Sequence, residues 1–137
     1  MTALLDTGFF LAVLDADDEF HETCTAVLLN EAQPLLPDMV LPELGFMILR
    51  ELGYPVLVHF LQSVVQGELV IARTTNDDLI RTSEILEKYA DSRIDFVDCV
   101  IAAIAERLKI ETILTVDQRH FQLFRPRHCS HFMILPR

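Results

Sequence analysis

Apolar residues along this chain follow two patterns, short unbroken runs and longer stretches where they recur every third or fourth position. The runs read as strands. Ala3-Leu4-Leu5 is closed by Asp6, and Leu35-Leu36 lies between Pro34 and Pro37. Glu68-Leu69-Val70-Ile71-Ala72 is β-branched at its centre, residues 112–116 (Thr-Ile-Leu-Thr-Val) are followed at once by Asp117, and residues 132–135 form a last apolar run. Between them the periodic stretches predict helices. One covers 7–14; the next covers about 19–32, with Asp17 or Asp18 as its N-cap. A third covers 40–52, with Pro42 in its first turn and Gly53 ending it. A fourth runs from Pro55 to near Gly67, and Asn76 caps a fifth that reaches about Tyr89. The clearest helix spans 96–109 behind Asp95, with Ala102, Ala103 and Ala105 small enough for close packing on a sheet. Strands alternating with helices predict an α/β domain with a mostly parallel central sheet. Repeats, linkers and low-complexity segments are absent, so residues 1–137 read as one domain.

Composition narrows the class. Apolar residues make up 51% of the chain, enough for a compact core and too many for a disordered segment. No apolar stretch reaches the roughly 20 residues of a membrane span. Asp6 breaks the first apolar run before it could serve as a secretion signal. Cys24, Cys99 and Cys129 are odd in number and share no CxxC spacing, which argues against a disulfide framework. A cytoplasmic protein with no membrane association is expected. The net charge of −10 is unusual for a binder of nucleic acid, but the charges are unevenly spread. Residues 1–49 contain no Lys or Arg, whereas 119–137 contain no acid and carry Arg119, Arg125, Arg127 and Arg137.

In open parallel sheets, ligands bind beyond the carboxyl ends of the strands. Asp6 and Asp117 each follow a strand and so fall on that edge, although either alone also suits a cap or a surface turn. Glu43 and Asp98 each stand among apolar neighbours near a helix start. Burying an acid there is costly unless it is hydrogen-bonded, paired with a cation or bound to metal. Asp98 has a plainer alternative: three residues after Asp95, it also fits a carboxylate that favours the helix dipole. Asp95 shares a helix face with Asp98 and is an accessory candidate. Carboxylates gathered at one edge repel unless neutralised, and hard oxygen ligands suit Mg²⁺ or Mn²⁺. His128-Cys129-Ser130-His131 and the His21/Cys24 pair are the nearest approach to a zinc site, and neither offers four ligands. The four glycines form no phosphate loop. Asp6-Thr7-Gly8 lacks the second acid of an Asp-x-Asp phosphatase motif. Arg119 is the candidate phosphate contact, against the plainer alternative of an exposed Arg on a surface turn.

The sequence resembles the PIN-domain family, and within it the VapC toxins of prokaryotic toxin–antitoxin pairs. Four pieces carry the resemblance: Leu5-Asp6-Thr7; Pro42-Glu43; Phe96-Val97-Asp98-Cys99-Val100-Ile101-Ala102-Ala103; and Leu114-Thr115-Val116-Asp117 followed by His120-Phe121. Together they span almost the whole chain. The resemblance implies a Rossmann-like fold, an acidic pocket holding Mg²⁺ or Mn²⁺, and endonucleolytic cleavage of single-stranded RNA. It assigns the catalytic acids to Asp6, Glu43, Asp98 and Asp117, with Asp6, Asp98 and Asp117 on the metal. Asp95 becomes an accessory acid, and Thr7 and Thr115 become hydroxyl partners. It also implies an antitoxin protein that covers the pocket or its rim. Phe9, Phe10, Phe46, Met47 and Phe60 could form a groove for such a partner or a homodimer face, although their helical spacing also suits plain core. A catalytically silent PIN-fold module acting through a protein partner is the competing reading.

Overall fold

The computed structural model describes residues 2–137. Five strands form one sheet: β1 (Thr2–Leu5), β2 (Gln33–Pro37), β3 (Val70–Ala72), β4 (Thr112–Leu114) and β5 (Met133–Leu135), in the order β3-β2-β1-β4-β5. Every pairing is parallel, as the alternation of strands and helices predicts. The two prolines of β2 fit because each faces a neighbouring strand on one side. Pro34 pairs with Ala3 below the end of β3, and Pro37 pairs with Ala72 beyond the β1 ladder.

Seven helices connect the strands: α1 (Thr7–Leu14), α2 (His21–Leu29), α3 (Leu41–Glu51), α4 (Tyr54–Val65), α5 (Asn76–Lys88), α6 (Phe96–Leu108) and α7 (Arg119–Leu123). α6 buries every residue from Asp98 to Ala105, and its alanines permit close packing, as the small side chains predict. Phe9, Phe10 and Phe60 are core residues, with the Phe10 and Phe60 rings 5.5 Å apart. Phe46, by contrast, is 61% exposed beneath the Arg50 guanidinium. The five-residue apolar set therefore divides into core and surface. Among the described residues no helix is long and apolar enough to cross a membrane.

Several boundaries differ from expectation, each for a local hydrogen-bonding reason. α2 begins at His21 because Asp15 and Asp18 spend their carboxylates on the turn, accepting from the N–H groups of Asp17 and Phe20. Neither Asp17 nor Asp18 caps the helix. The cap of α5 is Thr75 rather than Asn76, in a reciprocal box with Asp78. β4 stops at Leu114, since the Thr115 hydroxyl takes the N–H of Asp117 and turns the chain. α7 has no counterpart among the elements that the apolar pattern predicts.

α5 lies against α6 through buried charge. Asp78 is 2% exposed; its Oδ1 accepts from Arg107 Nε at 2.9 Å and its Oδ2 from Thr75 N–H at 2.9 Å. Glu106 accepts two hydrogen bonds from Arg81, at 2.6 and 3.1 Å. Burial alone would raise both carboxyls, but the Arg partners and backbone donors outweigh it and hold both below their ordinary values. With folded values depressed, the stability these acids contribute is complete above their unfolded values of 3.8 and 4.5. It is lost as pH falls through the folded ones. Asp78→Asn should therefore lower stability at pH 7 by about 1–2 kcal/mol, discounted because water screens the half-buried Arg107. The deficit should shrink at pH 3. Denaturant unfolding at both pH values checks this, and an equal deficit at each would contradict the ion-pair assignment.

Candidate active site

The strand order reverses between β1 and β4: the chain leaves β1 toward β2 and β3, and β4 continues to β5. Such a switch point opens a crevice above the carboxyl ends of the two strands. Asp6 and Asp117 stand on either side of it. Asp6 N–H donates to Leu114 O at 2.9 Å, which extends the β1–β4 ladder by one rung and fixes the Asp6 side chain at its mouth. Asp6 also caps α1, its Oδ1 accepting from Thr7 N–H at 2.8 Å. Its Oδ2 lies 3.0 Å from the hydroxyl of fully buried Thr115. That hydroxyl lies 3.0 Å from the Asp117 carbonyl and accepts from Asp117 N–H at 3.2 Å, so one threonine ties both acids together. Thr115 contacts Asp6 through its hydroxyl, whereas Thr7 does so through its backbone N–H.

Gly8 explains how closely α1 approaches this loop. A Cβ at that position would lie 2.9 Å from Val116 Cγ2, closer than real contacts allow. A side chain there would push away the segment that carries Asp117.

Asp98 reaches the crevice from α6. Its carboxylate does not cap the helix; Oδ2 lies 2.7 Å from Nδ1 of buried His120, on α7. With its proton on Nδ1, the imidazole donates to Asp98. Asp95, at the start of α6, is exposed and makes no side-chain cap bond. Its carboxylate is left facing the other acids.

These groups feel one another. Burial raises the Asp6 carboxyl above its ordinary value, hydrogen bonds from Thr7 and Thr115 oppose the rise, and the charges of Asp117 and Asp95 add to it. Asp98 is pushed up to about 7, first by burial; the bond to His120 opposes this, and Asp6 and Asp95 reinforce it. Asp6, Asp95, Asp98 and Asp117 therefore form one electrostatic neighbourhood. They surround the crevice without closing on its centre: among the described residues no three acids, histidines or cysteines converge at metal-ligand spacing. Glu43 is exposed in the first turn of α3 and is not among the groups that perturb Asp6 or Asp98, so the structure does not join it to the other acids.

The fit to a hard divalent cation rests on the donors. All are carboxylate or hydroxyl oxygens, and two carry charge that burial and neighbours make unfavourable. Mg²⁺ keeps several waters and binds through one or two carboxylates, so an open ring suits it better than a tight cage. The zinc alternatives fail on geometry. His21 Nδ1 pairs with Ala12 O at 2.9 Å, and the buried Cys24 thiol is pushed up to about 11. His128 Nε2 donates to Ile110 O.

His120 stands in the sequence motif after Asp117 but has no role assigned to it there, because the short helix that holds it has no apolar periodicity to show which way it faces. Arg119, beside it, is exposed at the start of α7, with Nη2 3.4 Å from His120 Nε2. Asp38 is the instructive contrast. It follows β2 as Asp6 follows β1, yet both its oxygens bind Thr74, at 3.0 and 2.5 Å, and close the end of β3.

Comparison with known proteins agrees with this geometry. The family model described as PIN domain matches residues 3–124. Ribonuclease VapC26 of Mycobacterium tuberculosis is 28% identical over 134 residues, covering 97% of this chain and 99% of its own length. The solved structure of Mycobacterium tuberculosis VapC20, a sarcin-ricin loop cleaving toxin, superposes with a TM-score of 0.73 at 20% identity. It covers 81% of this chain and 86% of its own. VapBC2 from Rickettsia felis, bound to a DNA fragment from their promoter, gives a TM-score of 0.70 at 15% identity, covering 98% and 97%. With a family model matched across most of its length and acids on both sides of the β1–β4 crevice, this chain belongs to the PIN domain family.

Proposed function

We propose that the protein is a VapC-type endoribonuclease that hydrolyses phosphodiester bonds of single-stranded RNA with Mg²⁺ or Mn²⁺, as the toxin of a toxin–antitoxin pair. The observation that carries this reading is the switch-point crevice, around which Asp6, Asp98 and Asp117 share one electrostatic neighbourhood, with the His120 imidazole beside Asp98 the one basic side chain hydrogen-bonded to any of them among the described residues. A divalent ion bound there would neutralise the acids, acidify a water and stabilise charge growing on the phosphate. Asp6 and Asp117, coupled through Thr115, and Asp98, oriented by His120, are the residues that would hold it. Arg119 stands where its guanidinium can meet a phosphate oxygen. In hydrolysis the water oxygen bonds to phosphorus as the bond to the leaving ribose oxygen breaks. Glu43 would position a water or a second ion.

An antitoxin partner is favoured by an exposed apolar face on α3 and α4. Phe46, Tyr54, Val58, Leu61 and Val65 are between 48% and 87% exposed, an apolar patch of the kind that marks protein contacts. The relatives solved as VapBC assemblies support the same expectation.

Mg²⁺ or Mn²⁺ should raise the melting temperature, by an amount equivalent to about 2.7 kcal/mol when the ion is at a hundred times its Kd. Asp6→Asn combined with Asp117→Asn should abolish the shift. If the double variant keeps the full shift, the ion binds elsewhere.

Asp98→Asn separates a metal acid from a helix-start acid. It removes a charge that burial disfavours while preserving shape, so the metal-free protein should be at least as stable as wild type above pH 7. Cleavage of single-stranded RNA in Mg²⁺ should fall by about 100-fold or more. Cleavage at close to the wild-type rate would falsify the catalytic assignment of Asp98.

Arg119→Ala should weaken RNA binding and reduce the slope of log affinity against log salt by about 0.7, the contribution of one single-strand phosphate contact. An unchanged slope returns Arg119 to the role of a surface residue.

A further inference from the structure

A second recess opens beside the acidic crevice, on the side of α2. Its volume is about 330 Å³, and it is lined by Phe20, Thr23, Val116, Gln118, Pro136 and Arg137. Val116 and Gln118 are the residues on either side of Asp117, so the recess begins within about one Cα–Cα step, roughly 3.8 Å, of that acid. This adjacency gives the recess a place relative to the reaction: a strand whose phosphate lies over Asp6 and Asp117 brings a neighbouring nucleotide to it.

The walls have the chemistry of a nucleobase site. Phe20 is 41% exposed, lines the recess and pairs with no other aromatic ring among the described residues, so part of the ring is accessible from it. Its backbone is nonetheless held firmly. Phe20 N–H donates to Asp18 Oδ1 at 2.8 Å, and Phe20 O accepts from Cys24 N–H at 2.8 Å. His21, the next residue, is pinned to Ala12 O. An aromatic ring that is exposed yet rigidly mounted loses little freedom when a base stacks on it. Opposite, the Gln118 amide nitrogen donates to the carbonyls of Thr115 and Pro136. Those bonds fix the side chain and leave its carbonyl oxygen free to accept from a base N–H. Val116 and Pro136 complete an apolar floor. Arg137 adds a cation that takes part in no ion pair among the described residues.

We infer that this recess is a base-binding subsite for the RNA strand, with one nucleobase stacked on Phe20 and its edge read by Gln118, next to the phosphate that is cut. The inference rests on the ribonuclease reading and extends it, since it names what holds the strand where phosphate-binding cations are few. Stacking on an open ring favours single strands, whose bases are free to leave their neighbours.

The chain contains no tryptophan, so Phe20→Trp places a single fluorescent reporter in the recess. Fluorescein-labelled single-stranded RNA 12-mers, with and without abasic positions, are titrated against the wild type, Phe20→Trp, Phe20→Ala and Phe20→Leu. Anisotropy is followed in EDTA, and again in Mg²⁺ with phosphorothioate-linked strands that resist hydrolysis. Binding should quench the indole emission of the Phe20→Trp protein, and the abasic strand should leave it largely unquenched. Phe20→Ala and Phe20→Leu should each weaken affinity by roughly 5-fold or more, because both lack a ring face, with melting temperatures near that of wild type. RNA binding by the Phe20→Trp protein without quenching overturns the subsite. Wild-type affinity in Phe20→Ala and Phe20→Leu also overturns it and reassigns the recess to protein contact. If the wild type binds none of these RNAs under either condition, the ribonuclease reading falls and the subsite with it.

Discussion

Two parallel strands lie side by side at the centre of this sheet, and the chain leaves them in opposite directions, so no connection covers the gap above their carboxyl ends. That gap lies between β1 and β4, and the site depends on it. The Asp6 N–H bond to Leu114 O carries the ladder one residue past the last strand position. The Thr115 hydroxyl then couples the Asp6 carboxylate to the backbone of Asp117. Gly8 is required at the same place, since a side chain would meet Val116 and separate α1 from the loop after β4. Backbone pairing in the core thus sets the position of two acids to within a hydrogen bond.

The buried carboxylates of this protein divide into two populations that burial treats alike and their neighbours treat differently. On the α5–α6 side, Asp78 and Glu106 each face an arginine, and their carboxyls are held below the ordinary values. In the crevice, Asp6 and Asp98 face other acids and one imidazole, and theirs are raised. Packing and pairing alone explain the α5–α6 contact. The crevice cannot be explained in that way, because it holds charge under strain where an apolar residue would be more stable. Asp38, at the end of β2, is hydrogen-bonded through both oxygens as Asp6 is; what sets Asp6 apart is that the charges of Asp117 and Asp95 act on it.

The strands and the six longer helices were legible because strands show as unbroken apolar runs and helices as recurring apolar positions, both properties of neighbouring residues in sequence. Asp6 and Asp117 were legible for the same reason, as acids that terminate apolar runs. Features that depend on a choice among hydrogen-bond partners were not. Asp17 and Asp18 look like caps for α2, but turn N–H groups claim the carboxylates of Asp15 and Asp18 first. Thr75 outcompetes Asn76 because Asp78 can return its hydrogen bond. Asp98 has two plausible partners in sequence, the helix start and a metal. The structure reveals a third, His120, twenty-two residues away on a helix too short to show a period. Glu43 matched the motif but is exposed in the first turn of α3 with no tie to the other acids among the described residues, since pattern places a residue on an element and says nothing of its distance to the others.

Distribution of charge also bears on how so acidic a chain could hold an RNA strand. Of its eleven basic side chains, Arg81, Arg107 and Arg127 are engaged by Glu106, Asp78 and Glu84, and Arg50 by Glu51. Arg119, beside His120, and Arg137, in the recess next to Asp117, have no acid partner among the described residues. Two phosphate contacts on a single strand give a salt slope of only about −1.4, far shallower than that of proteins that grip nucleic acid by charge alone. Long-range attraction must be weaker still, because the remaining acids repel the strand at distances beyond a Debye length of about 8 Å only slightly, but within it strongly. On the proposed reading, affinity would have to arise at close range, from a cation held by the carboxylates and from a base on the Phe20 ring, contacts that act only on a strand already seated in the crevice. An acidic surface would then discourage unspecific binding to RNA, the behaviour expected of a selective nuclease rather than a general one.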